Sequence, residues 1–233
     1  MVNFMLDKTA MNIPKVVHYS TLLHRSAKAT QAQWVEYRRG HTPELLGIFY
    51  LGMKDIATNL YFLARALEMG PTAFRLLPGI FEKSSEALVS DVRGHNAVPA
   101  AMLGRITLAL KDIYLVSQDL IEDSRALGTA GINQDALVYG SDLGVVLTSL
   151  VPIAKTLKLP LQPFVRARNE ALNFFRVVSE DLLEAPLSSP EPVQEVPAES
   201  IVLACRVKHA TALIKSNPRK ACKLLDELLS VLR

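Results

Sequence analysis

The sequence predicts an all-α protein, a helical bundle of two possibly repeated helix-turn-helix halves followed by a C-terminal helical hairpin. Three observations carry that prediction. Apolar residues recur at steps of three and four, the breaks between runs coincide with helix caps, and no period-two segment is long enough for a strand. The composition agrees. With 49% hydrophobic but only 6% aromatic residues, the core must be built mainly from Leu, Ala, Val and Ile. At 233 residues the chain can bury one sizeable core and a small appendage. The expected division is a main helical domain at 1–185, an acidic proline-rich linker at 186–198 and a basic helical hairpin at 199–233.

The elements follow in order. Val16 to Arg39 predicts a first long helix, stopped by Gly40. Thr42-Pro43-Glu44 then supplies an N-cap, a proline at the first helical position and an early acid. From there Leu45, Phe49, Met53, Ile56, Leu60 and Leu63 form one apolar stripe that continues to Leu67 and ends at Gly70-Pro71. Shorter helices are expected over Thr72 to Leu77 and Gly79 to Val92, with Gly94-His95-Asn96 as a turn. Pro99 opens a long helix that ends at Gly128, and Asn133 caps the next, which runs to Leu157 with a kink at Pro152. Pro160 to Pro163 interrupts the chain, and Phe164 to Glu184 resumes it.

Ala185 to Ala198 carries four prolines and no apolar periodicity, as an extended linker does. Beyond it, Ile201, Ala204, Cys205 and Leu213 make one helical stripe, and Cys222, Leu225, Leu228 and Leu232 another. A hairpin this small needs a surface to dock on, either its own domain or another chain. It also holds the basic excess: seven Lys/Arg against three acids between Glu199 and Arg233. Those cations could contact phosphates, but without interleaved aromatics they read better as the solvated face of a docked hairpin.

The charge of +3 does not by itself imply a polyanion partner. Met1 to Lys15 does not read as a secretory signal, since Asp7 comes early and no long apolar run follows. The most apolar stretch, Leu143 to Ala154, is shorter than the roughly 20 residues a membrane span needs. Two cysteines, Cys205 and Cys222, are too few for a disulfide-built secreted domain. On a hairpin turning at Asn217-Pro218 they would be offset by roughly 10 Å along the helix axis, beyond disulfide reach. A cytoplasmic protein with no membrane partner is therefore expected.

Two segments align without gaps over twelve positions, LARALEMGPTAF (Leu63 to Phe74) and IAKTLKLPLQPF (Ile153 to Phe164). Each is the end of an apolar helix, a break and the start of another helix, which points to two copies of one unit. The competing explanation is that any two amphipathic helices align passably. In the second half the order of acids and apolar residues is Asp119-Leu-Ile-Glu122, then Tyr139-Gly-Ser-Asp142, then LTSLVPIAKTLKLPLQPFVRARNEAL.

This order resembles the MazG-like all-α nucleoside triphosphate pyrophosphohydrolases, which include the dimeric dUTPases. That family carries ExxE on one helix and ExxD on the next, an apolar run of the type LLAxxLGLxLxxV, then a helix with Asn and basic residues. The resemblance covers residues 20 to 180 in outline. It implies Mg²⁺ held by Asp119, Glu122 and Asp142, with Asn169, Arg168 and Arg176 touching a nucleotide's phosphates. The chemistry suits those residue types, because Mg²⁺ takes hard oxygen ligands and carboxylates at i and i+3 share one helix face. The sequence departs from the family where Tyr139 stands for a Glu, and where the first half offers Ala29, Ala32 and Gly52 at the acidic positions. The other explanation for the acids is a solvated helix face, with Asp123 as a further surface acid.

The alternative function is a non-catalytic scaffold whose C-terminal hairpin engages a protein partner or a second copy. The five histidines show no metal-ligand spacing, and no phosphate loop, GxSxG or Cys/His pair occurs. Trp34 beside Glu36 to Arg39 could stack a base, but a lone Trp on a helix is more often a packing residue.

Overall fold

A computed structural model of the chain describes residues 12–90, 97–126 and 132–183. The expected turn at Gly94-His95-Asn96, the linker at 186–198 and the hairpin at 199–233 lie outside the described residues. Within them are six α-helices and one 3-10 turn, with no strand. The helices are α1 (Ile13–Gly40), α2 (Pro43–Ala66), α3 (Leu77–Ser90), α4 (Ala100–Ala126), α5 (Ile132–Thr156) and α6 (Leu161–Leu183). The all-α class holds, and no helix among the described residues is long and apolar enough to cross a membrane.

Caps explain most boundaries. Asn12 accepts from Lys15 N at 3.1 Å to start α1, and Thr42 Oγ1 accepts from Leu45 N at 3.3 Å to start α2. Several expectations shift. Thr72 to Leu77 is not a helix but a short run ending in the 3-10 turn Phe74–Leu76. Pro78 and Pro163 sit in the first turns of α3 and α6, where a missing N–H costs nothing, so both helices begin earlier than predicted. Asn133 lies inside the first turn of α5 rather than capping it, and α5 continues through Pro152.

The repeat runs much further than twelve residues. Each residue of the second half carries the number of its counterpart plus 90, as the left-handed residues Glu68 (φ 58) and Lys158 (φ 56) show. Both close the same helix end. Met69 N bonds Ala64 O at 3.1 Å, and Leu159 N bonds Ala154 O at 2.9 Å, the six-residue closure of a Schellman cap. Upstream, Phe49, Met53, Ile56, Leu60 and Leu63 are buried, and so are Tyr139, Leu143, Val146, Leu150 and Ile153. Helices α1, α2 and α3 thus correspond to α4, α5 and α6.

The halves meet along α1 and α4. There His24 packs on Tyr114 with ring centroids 4.9 Å apart, and the two are counterparts. Counterparts touch only where a twofold axis passes, so the chain is a pseudo-symmetric dimer of two covalently joined copies. The ends close the ring. Ala73 N, at the start of the 3-10 turn, donates to both carboxylate oxygens of Glu170 on α6 at 3.1 Å. Phe81 of α3 meets Phe164 of α6 edge-on at 5.6 Å.

His24 gives the junction a pH dependence. Its Nδ1 lies 3.1 Å from Ser117 Oγ, and burial, then the nearby Lys28 charge, lowers its pKa below the ordinary 6.5. A folded-state pKa below the unfolded one means that protonation favours unfolding, so the stability His24 contributes is present above 6.5 and is lost as pH falls through the lowered value. Thermal unfolding followed between neutral pH and about pH 5 should show this decline, and His24→Gln should flatten it.

Candidate functional site

Among the described residues, the seam between α4 and α5 carries acids that its counterpart between α1 and α2 lacks, and the repeat shows what each replaces. Asp119, Glu122 and Asp142 stand where the first half has Ala29, Ala32 and Gly52. On α4, Glu122 is exposed and Asp119 half-buried, while Asp142 on α5 is only 6% exposed.

Gly52 fixes the direction of Asp142. A Cβ at Gly52 would lie 2.1 Å from Gln33 Oε1 and 2.6 Å from Thr30 Oγ1, so this position faces α1 at close quarters. The same register turns Asp142 toward α4, between the counterpart positions Leu120 and Asp123. Asp123 is the residue that sequence reasoning set aside as a surface acid. It is half-buried, and its Oδ2 is shielded from solvent. The signal was available: Asp119 and Asp123 are spaced i, i+4, about 40° apart around the helix, while Glu122 lies about 60° to the other side of Asp119 and so about 100° from Asp123. Asp119, Asp123 and Asp142 each interact with other groups of the chain. Among the described residues, no group of three or more His, Cys, Asp or Glu side chains is placed to hold a metal ion.

The remaining site residues lie on α6, which flanks α5. Gly144 packs its open side on Leu172, where an added Cβ would be 3.0 Å from Cδ2, and Gly140 does the same on the Phe175 backbone at 3.1 Å. Those close contacts set α6 against α5 near Asp142. Arg168 and Arg176 flank Leu172 at i−4 and i+4, on its side of the helix. Both guanidiniums are held locally, Arg168 on Asn169 Oδ1 at 3.3 Å and Arg176 on Asn173 Oδ1 at 3.1 Å. Asn169 and Arg176 are exposed, and Arg168 is half-buried.

Trp34 is not available for base stacking. It is 1% exposed, stacked on Tyr37 and tilted against Phe49, and its Nε1 donates to Thr107 Oγ1 of α4 at 3.0 Å.

The outer faces of the two halves differ. On α2, Ile48 and Leu51 are each 46% exposed, and Asp55 is exposed. On α5 the counterparts of Leu51 and Asp55, Ser141 and Val145, are 2% and 5% exposed, and Ser149 is buried too. No family model, curated protein or solved structure matches the chain.

Proposed function

We propose that the chain is a one-sided, magnesium-dependent nucleotide-binding relative of the MazG-like pyrophosphohydrolases, acting in the cytoplasm, with its site in the second half. The observation that supports this is the contrast between Asp142 and Gly52. The first half builds the same helix pair with glycine, so the fold does not require a carboxylate there. A buried carboxylate needs compensating contacts that glycine does not, so its presence on one half alone points to a role beyond packing.

The donor set fits magnesium. Mg²⁺ commonly takes one or two carboxylates and completes its shell with water and substrate phosphates, so a gathered protein cage of three is not needed. Asp142 and Asp119 would supply that pair from facing helices, with Glu122 reaching in from the rim. Bound there, the ion would neutralise phosphate charge and polarise a phosphoryl oxygen. Arg168 and Arg176, released from their asparagine partners, would hold the other phosphate oxygens, and Asn169 would donate from the outer edge. Incubation with common NTPs and dNTPs plus Mg²⁺ tests this. A thermal shift with at least one triphosphate is expected, with pyrophosphate release if the site is catalytic. No shift with any nucleotide would sink the catalytic and binding versions alike.

A second reading, a non-catalytic interaction scaffold that self-associates or holds a protein partner, is favoured by the open apolar strip on the first half. Ile48 and Leu51 are each 46% exposed and spaced i, i+3 on one face of α2, and Val35 of the adjoining α1 is 42% exposed; exposed apolar side chains that cluster mark contact surfaces. Ile48→Glu with Leu51→Glu should then reduce the sedimentation-average mass. An unchanged mass would count against self-association through this strip.

A further inference from the structure

We propose that the first half carries a separate binding site, a row of aromatic rings edged by cations across α1 and α2, that takes single-stranded nucleic acid. The row is unbroken. His18 meets Tyr19 edge-on with centroids 5.1 Å apart, Tyr19 stacks on Phe62 at 5.2 Å and 14°, and Phe62 meets Tyr61 at 5.3 Å. Arg65 closes the row, its guanidinium carbon 5.8 Å from the Tyr61 centroid and within cation–π range. His18 and Arg65 are exposed, and the three rings between them are half-buried. Tyr19 and Tyr61 also pack against the core, which fixes the row in place while part of each ring stays in solvent.

The repeat shows that the fold does not need these rings. The counterparts of His18, Tyr19, Tyr61 and Phe62 are Leu108, Ala109, Val151 and Pro152. Helices α4 and α5 therefore pack at the same register without an aromatic side chain at any of the four positions. The cations, by contrast, recur: Lys15 and Arg65 correspond to Arg105 and Lys155, and all four are exposed. One half thus has cations with rings and the other has cations alone, which makes the second half an internal control.

Charge selects the ligand. Lys15 lies one turn before Tyr19, and Arg25, also exposed, lies two turns after His18. No acid occurs between Asn12 and Val35 or between Ile56 and Ala66. The stretches that carry the rings thus bring Lys15, Arg25 and Arg65 to them and no carboxylate. That combination suits a flexible polyanion with open base faces, because cations track the phosphates while unpaired bases stack on aromatic rings. A duplex keeps its base faces in its own stack and cannot use the row. Single strands are therefore preferred over double strands, with little dependence on sequence, since every base has a π-face.

Fluorescence anisotropy of the full-length protein with a labelled oligothymidylate of about twelve nucleotides tests this. The titration is run in EDTA, so its outcome is separate from that of magnesium-dependent nucleotide binding. The single strand should bind more tightly than a duplex of the same length. Tyr19→Leu with Phe62→Leu, which keeps apolar bulk but removes two π-faces, should weaken binding at least about tenfold. Should that pair disturb folding, seen as a lowered melting temperature, the exposed cations decide. Lys15→Gln with Arg65→Gln should lower the slope of log Kd against log salt by about 1.4, the contribution of two single-strand phosphate contacts. Arg105→Gln with Lys155→Gln, the same change where no rings stand, should leave affinity and slope near those of the parent. No binding, a duplex bound as tightly as the single strand, or equal effects of the two cation pairs would each overturn the proposal.

Discussion

Replacing Trp34 by alanine is expected to lower the unfolding free energy by about 3–5 kcal/mol, the range for deleting a fully buried indole. The side chain is 1% exposed and lies between Tyr37 and Phe49, with ring centroids 5.2 and 4.8 Å away. It also ties the halves together, because Nε1 donates across the α1–α4 junction to Thr107 Oγ1 at 3.0 Å. Thr107 keeps its own bond to Leu103 O at 3.0 Å, so the loss comes mainly from the cavity and not from a stranded hydroxyl. In a chain of this size each kcal/mol moves the melting temperature by about 2–4 °C, so a fall of roughly 10 °C should appear in thermal unfolding followed by circular dichroism. Trp34→Phe, which fills most of the space but cannot donate, should lose about a third as much. A Trp34→Ala protein as stable as the parent would mean that the aromatic cluster is not the core of the first half.

Gly52→Asp, which writes the second half's residue into the first, should cost a comparable amount, about 3 kcal/mol or more. The new Cβ would fall 2.1 Å from Gln33 Oε1 and 2.6 Å from Thr30 Oγ1. Thr30 cannot easily give way, because its hydroxyl donates to Ser26 O at 2.7 Å. The added carboxylate would also face an amide oxygen that already has no hydrogen-bond partner among the described residues. Gly52→Ala separates the effects, since it brings the crowding without the charge and should cost about 1–3 kcal/mol. Urea unfolding of the three proteins measures both terms. If aspartate were no worse than alanine, the case that a buried acid at this position serves something other than packing would lose its basis.

Much of the fold was legible because local chemistry fixed it. Thr42-Pro43-Glu44 starts α2 where a cap, a helical proline and an acid predict, and the apolar stripe from Leu45 follows directly. The misplaced starts of α3 and α6 share one cause: Pro78 and Pro163 read as breakers but occupy first-turn positions that need no donor. The repeat was visible over Leu63 to Phe74 because a Schellman end constrains both sides of a break. Along α1 and α4 it was hidden, since Trp34 corresponds to Ser124 and Ser20 to Leu110, pairs that share burial but not chemistry.

The site was less legible. That Asp142 faces α4 follows from which side of α5 the close-packed Gly140 and Gly144 turn toward α6, a fact of tertiary register. Asp123 went unrecognised because the i, i+3 pair Asp119 and Glu122 matched a motif, while the i, i+4 pair Asp119 and Asp123 matched the seam. Tyr139, a departure from the family pattern in sequence, proves to be a core residue at 0% exposure, the counterpart of buried Phe49.

The central claim, one nucleotide site per chain on the acid-bearing half, is tested most directly by calorimetric titration of the full-length protein with Mg²⁺-nucleotide triphosphates. The account predicts Mg²⁺-dependent binding at one nucleotide per chain, lost in Asp142→Asn and weakened in Asp119→Asn. Two sites per chain, binding that survives both substitutions, or no binding of any triphosphate would contradict it.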